Sequence, residues 1–168
     1  MSDDAATIRS LIDRLGSTDP AQRAEAAELL CRAGAAATPA TVELVRACGD
    51  DDGQVREWSV AALEELGAPP PDALPHLIDL AASPHPLVAY WAITLLGRSG
   101  RDAAAATAAL AGRLEAAGDL SVSQRAAWAL GKIGPAAAAA RPALARAAQA
   151  ADPRLARLAK EALDSIGP

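Results

Sequence analysis

The segment DLSVSQRAAWALGKIG, Asp119 to Gly134, opens on a helix-capping residue, closes on glycine and carries apolar residues at helical spacing between them. Four other segments follow the same plan: Asp19-Pro20 to Gly34, Asp52-Gly53 to Gly67, His85-Pro86 to Gly100 and Asp152-Pro153 to Gly167. His85 is the weakest of the five caps. The closing glycines stand 33, 33, 34 and 33 residues apart. A period of that size marks stacked helix pairs, none of which can bury its apolar face alone.

Aligning the segments gives columns. One reads Gln22, Val55, Val88, Val122, Leu155; four residues on come Ala26, Ser59, Ala92, Ala126, Ala159. Then follow Leu30, Leu63, Leu96, Leu130, Leu163 and finally Ala33, Leu66, Ser99, Ile133, Ile166. These offsets trace one stripe of a 3.6-residue helix. A first helix precedes each segment, anchored on Leu11, Leu44, Leu77, Leu110 and Leu144. Pro75 and Pro142 fall where a first helical turn tolerates proline. The extra residue of the fourth repeat falls near Arg113-Leu114, and Pro69-Pro70-Pro71 reads as a stiff connector between repeats two and three.

The ankyrin Thr-Pro-Leu-His signature and the tetratricopeptide Trp…Leu-Gly…Tyr pattern are both absent. Asp52-Gly53-Gln54-Val55-Arg56 and Ala126 to Gly134 instead resemble the bacterial short HEAT repeat, also called the phycobiliprotein-lyase HEAT-like repeat. Its second helix reads roughly Asp-Pro-x-Val-Arg-x-x-Ala-Ala-x-Ala-Leu-Gly-x-Ile-Gly. The resemblance runs from about residue 5 to 167. The family's Arg is kept at Arg23 and Arg56 and replaced by Ala89, Ser123 and Ala156, so a ladder built on it would be interrupted. The expected fold is therefore all-α: a right-handed α-solenoid of five HEAT-like helix pairs, ten helices, in a single domain over residues 1–168. The repeats fall at about 4–34, 35–67, 68–100, 101–134 and 135–167.

The chain has 168 residues, is 51% hydrophobic and contains no Phe, so Leu, Ala, Val and Ile must fill its interior. No apolar run reaches the length of a membrane span. Met1-Ser2-Asp3-Asp4 is acidic and lacks a signal-peptide pattern, which makes a cytoplasmic protein the expectation. Cys31, in the column of Gly97 and Gly131, reads as a small packing residue. A disulfide to Cys48 is disfavoured in a reducing compartment. Residues 1–84 hold 15 acids and 6 bases, whereas residues 85–168 hold 6 acids and 10 bases. That polarity leaves two alternatives for self-association: a monomer, or weak head-to-tail stacking in which unlike ends meet.

Catalytic signatures are missing. His76 and His85 fall in different helices without metal-ligand spacing, and no Ser stands near a His with an orienting acid. Asp50-Asp51-Asp52-Gly53 would be a calcium loop only if Cys48 and Ser59 were acids, so it reads as an acidic turn that caps the next helix. The expectation is a non-enzyme with neither metal nor cofactor.

The four aromatics, Trp58, Tyr90, Trp91 and Trp128, all lie on second helices and off the apolar stripe. At 100° per residue, Tyr90 falls about 175° from the stripe centre, Trp128 about 145°, and Trp58 and Trp91 about 85°. Two placements stay open for Trp58 and Trp91: a plug in the seam between adjacent second helices, or the wall of a groove. Tyr90 and Trp128 read as groove residues, since Trp, Tyr and Arg are the usual interface anchors. The resemblance implies that the second helices line a concave surface. Its expected lining includes Glu57 and Glu65 on the acidic side, Leu87 and Arg98 in repeat three, and Arg125, Lys132 and Arg157 on the basic side. A trough about 20 Å across suits a peptide or partner helix with a few apolar anchors. The leading expectation is thus a protein-interaction scaffold that binds a peptide or partner protein. Tetrapyrrole binding is implied by the lyase resemblance. Nucleic-acid binding is implied by HEAT-like alkylpurine DNA glycosylases, but the acidic first half and pI near 5.0 argue against it.

Overall fold

The computed structural model describes residues 2–116 and 118–167, with side chains from residue 5 onward. Among the described residues there are ten α-helices and no strand, and no helix is long and apolar enough to cross a membrane. The chain divides into two compact units, Met1–Ala73 and Leu74–Pro168. In the first, α1 (Ser2–Leu15) packs on α2 (Pro20–Ala33), α3 (Thr41–Ala47) packs on α4 (Gly53–Glu65), and α2 lies along α4. The second holds three pairs: α5 (Leu74–Ala81) with α6 (Pro86–Ser99), α7 (Thr107–Glu115) with α8 (Leu120–Ile133), and α9 (Arg141–Ala147) with α10 (Pro153–Ile166). Within it α8 lies between α6 and α10. The extra residue of repeat four lengthens the end of its first helix, so α7 runs to Glu115 while α3 and α9 have seven residues each.

The starts of the second helices follow from their caps. Asp52 accepts from the N–H groups of Gln54 and Val55, Asp119 from those of Ser121 and Val122, Asp19 from Ala21 and Asp152 from Leu155. His85 makes no side-chain cap, as its residue type implies, and Pro86 at the first helical position compensates with a preset φ. One layer further back, Ser17, Asp50 and Ser83 each accept from the backbone N–H of the capping residue itself, at 2.9–3.2 Å. The turn before the second helix is thus held by two side-chain layers in the first two repeats and by Ser83 alone in the third.

The core contains most of the predicted stripe, though Gln22 is exposed and Ala33 and Ser99 are half-buried. Leu30, Leu63, Leu96 and Leu130 are fully buried, as are all five members of the Ala26 column, while Leu163 in the last repeat is only partly covered. The first-helix anchors from Leu11 to Leu144 are buried throughout. A further column was not apparent from the sequence: Ala40, Ala73, Ala106 and Ala140 are buried where each chain segment enters its first helix. Three of these close the 3₁₀ segments Gly34–Ala40, Gly100–Ala106 and Gly134–Ala140.

One of the five glycines does not close its helix as expected. Gly34, Gly100, Gly134 and Gly167 have φ of 55–79°, but Gly67 does not have positive φ. There α4 has already ended at Glu65, and Leu66 is extended (φ −75°, ψ 139°). The prolines explain the difference. Pro69, Pro70 and Pro71 lack the N–H groups that a 3₁₀ segment at this position would use, and only Pro71–Ala73 forms a short 3₁₀ turn.

The acidic turn at Asp50 acts as a tie within the first unit. Arg23 donates from Nε and Nη2 to the two Asp50 carboxylate oxygens, both at 2.8 Å, and from Nη1 to the carbonyl of Ser17 at 3.0 Å. Arg56 makes the homologous reach to the carbonyls of Asp50 and Asp51. The recurrent Arg therefore holds its own preceding turn. In repeat four Ser123 takes over part of that task, donating to the carbonyl of Arg113 at 3.2 Å. Asp50 and Asp52 are committed to these donors, and the turn caps α4.

Candidate functional site

Tyr90 on α6 and Arg125 and Trp128 on α8 form one cluster inside the second unit. Three residues apart on a helix, Arg125 and Trp128 share a face. The Arg125 guanidinium lies 4.5 Å from the Tyr90 ring centroid and 5.0 Å from that of Trp128, and it donates an Nη2–H to the Tyr90 hydroxyl. These contacts hold the guanidinium against both rings and use one of its five N–H donors on the Tyr90 hydroxyl. Lys132 Nζ stands 5.9 Å from the Trp128 centroid, one turn further along α8.

Trp128 can lie there because position 97 on the neighbouring helix has no side chain. A β-carbon on Gly97 would overlap the Trp128 ring at Cζ3 and come within 2.9 Å of Cε3. Gly131 serves the next seam. A β-carbon there would stand 3.2 Å from the Cα of Ala162 on α10.

Two clefts flank the ridge formed by Trp128 and Leu158. The cleft toward the N-terminal ends of α8 and α10 has a volume of about 160 Å³ and is walled by Tyr90, Gln124, Arg125 and Arg154. The other, of about 260 Å³, lies toward their C-terminal ends. It has small floor residues, Ala127, Gly131 and Ala162, with Lys132 and Glu161 at its rim. Gln124 donates to Asp152 Oδ1 at 2.9 Å. The backbone N–H of Leu155 and then Gln124 hold the Asp152 carboxyl below the usual range, and the Ser121 hydroxyl followed by the Val122 N–H does so for Asp119. Among the described residues no carboxylate lies within ion-pair distance of Arg125, Arg154 or Lys132.

Other expected site residues are placed differently. Trp91 is only 6% exposed, meeting Tyr90 edge-on at 5.9 Å with Arg98 over its ring at 5.7 Å. It is buried, so Trp91 does not line an open groove. Trp58 is half-buried on α4, in the first unit, where Glu57 and Glu65 are exposed. Leu87 is half-buried in the first turn of α6, and exposed Arg157 pairs with Glu161 at 2.6 Å; neither lines one of the two clefts. Gly97 was the residue missed. Its column is occupied by Cys31 and Glu64 in earlier repeats, so only the ring of Trp128 reveals its purpose. Cys31 is half-buried and Cys48 buried. Both are free thiols, and burial pushes the Cys48 thiol up to about 12, which leaves it unreactive.

The family model described as HEAT repeats matches residues 8–96 and 74–164. A search of curated proteins finds no match. Among solved structures, a designed armadillo repeat protein in complex with the peptide (KR)4 superposes with a TM-score of 0.70 at 18% identity, covering 94% of this chain and 80% of that one. An engineered protein gives 0.65 at 23%, covering 95% and 78%. The complex of CpcE and CpcF of phycocyanin lyase from Nostoc sp. PCC7120 gives 0.65 at 23%, covering 95% of this chain and 64% of that one. These likenesses establish an all-α solenoid fold of the armadillo and HEAT type.

Proposed function

This chain belongs to the HEAT-repeat family, and on that footing we propose that it is a non-catalytic interaction scaffold whose second-helix face binds a peptide or partner protein. The observation that carries this is the cluster of Tyr90, Arg125 and Trp128. Large aromatics and an arginine are left half-exposed together beside two side-chain-sized clefts. Residues of these types supply most of the binding energy at protein interfaces. Two neighbours of the same fold support the reading as complexes, one with a peptide and one between protein subunits. A basic peptide such as (KR)4 would nevertheless meet like charge at Arg125 and Arg154.

Tetrapyrrole binding is the weaker reading. The two clefts beside Trp128, at about 160 and 260 Å³, fall below the roughly 300–1,000 Å³ of pockets that enclose drug-sized ligands, and the cleft of about 480 Å³ at Leu114, Ala143 and Leu155 has no aromatic lining to stack a flat ring. Arg125 also occupies the space between Tyr90 and Trp128 where a flat chromophore would stack.

The test compares partners captured by the wild-type chain with those captured by Tyr90→Ala and Trp128→Ala, using circular dichroism to verify retained helix. Specific partners should be lost with both variants. Capture unchanged by both would remove this face from the function.

A further inference from the structure

We propose that the two clefts beside Trp128 are consecutive subsites for an extended acidic peptide segment. The first takes a Glu or Asp side chain, and the second takes an apolar side chain two residues away. This rests on the reading of the face as a peptide-binding surface and adds the chemistry of the occupant.

The first cleft presents Arg125 and Arg154, neither within ion-pair distance of a carboxylate among the described residues, with Asp152 near enough to Arg154 for the cation to help hold its carboxyl low. Arg125 is already held by the two rings and the Tyr90 hydroxyl. Its ordering cost is therefore met before a ligand arrives, and its in-plane donors match the fork of a carboxylate. A volume of about 160 Å³ admits one side chain.

The second cleft mixes polar and apolar lining. Ala127, Gly131 and Ala162, with the Trp128 and Leu158 side chains, form its apolar part, Lys132, Glu161 and Ser165 its polar part, and about 260 Å³ seats a Leu or Met against the apolar part. On α8 the two sets of lining residues are centred about five residues apart, or about 7.5 Å at 1.5 Å per residue. Same-side side chains of an extended chain repeat about every 6.7 Å. Positions i and i+2 of one peptide thus reach both clefts. A nucleic-acid strand fits less well, because its charge repeats at every unit while Glu161 borders the second cleft, and the chain as a whole carries −5.

The experiment is an NMR titration of the full ¹⁵N-labelled chain, reading the Trp128 indole N–H against that of Trp58. The probes are the peptide acetyl-Gly-Glu-Ser-Leu-Gly-amide, its Gln, Lys and Leu→Ala analogues, and a short oligothymidylate. The Glu peptide should move the Trp128 signal and bind about tenfold more tightly than the Gln peptide. The Lys peptide should not bind, and the Ala analogue should be weaker. Arg125→Gln should erase the preference for Glu over Gln while keeping the dependence on Leu. Arg154→Gln, an exposed position outside the stack, should reduce the same preference without disturbing the fold. Equal binding of the Glu, Gln and Lys peptides would overturn the acidic assignment while leaving the peptide-binding face intact. Preference for oligothymidylate over every peptide would replace the occupant with a nucleic acid and overturn the proposal. Absence of any Trp128 shift would also overturn it, and the capture experiment would then decide separately whether the face binds protein at all.

Discussion

The absence of one β-carbon at position 97 sets the position of Trp128. Gly97→Ala gains helix propensity of about 1 kcal/mol but forces the indole out of its seat, an overpacking cost of about 1–3 kcal/mol. We expect a net loss of about 1 kcal/mol by urea denaturation, with red-shifted, more quenchable tryptophan emission. In a Trp128→Ala background the clash is gone, so the same substitution should then stabilise by about 1 kcal/mol. Ser59 is a second case. Its hydroxyl is fully buried without a hydrogen-bond partner, in a column that is Ala in the other four repeats. Ser59→Ala should therefore raise stability by about 1 kcal/mol and the melting temperature by a few degrees. At this scale the sequence was informative about angle and silent about cover. Helical geometry put Tyr90 and Trp128 off the core, and both are half-exposed. Trp58 and Trp91 share one column yet differ in burial, because burial depends on neighbouring helices that a single column does not describe.

Among the elements, the turns were read well from their residue types, with one exception that has a local cause. Asp caps and the Leu columns are local or strictly periodic signals, so they transfer directly from sequence to helix boundaries and core. The closing glycine is also local, but its role depends on the residues that come after it. Gly100 has φ of 55° and opens a 3₁₀ segment, whereas Gly67 precedes three prolines and lacks positive φ. Gly100→Ala should cost about 1–2 kcal/mol through strain. Gly67→Ala, with open space around the new β-carbon, should be neutral or stabilise by up to about 1 kcal/mol. Paired thermal melts of the two variants would check both signs. The Ala40 column was missed because alanine in an alanine-rich chain carries no periodic contrast.

For the molecule as a whole, charge is divided between the two units: the first carries −8 and the second +3. Its response to acid follows from three carboxyls held below their ordinary range. Asp50 is lowered mainly by the Arg23 hydrogen bonds, and Asp119 and Asp152 by the donors at their helix starts. A lowered folded-state pKa means that the unfolded chain takes up protons first as pH falls. The stabilisation is complete above the unfolded Asp value of about 3.9 and drains away as pH drops through the folded values. Urea midpoints should thus be flat near neutrality and fall steeply below about pH 4. Asp50→Asn should lower stability by about 2 kcal/mol at pH 7, since both partners are under 20% exposed, and should flatten the acid limb.

The fit of Trp128 over Gly97 also bears on how such a chain can be rebuilt by repeat shuffling. The aromatic comes from one repeat and its vacant seat from the one before, so neither repeat encodes the site by itself. Copying repeat four alone beside repeat two would set the indole against Glu64 instead of a glycine. Repeats three and four must be inherited, duplicated or grafted as one cassette, although the folding period is a single helix pair.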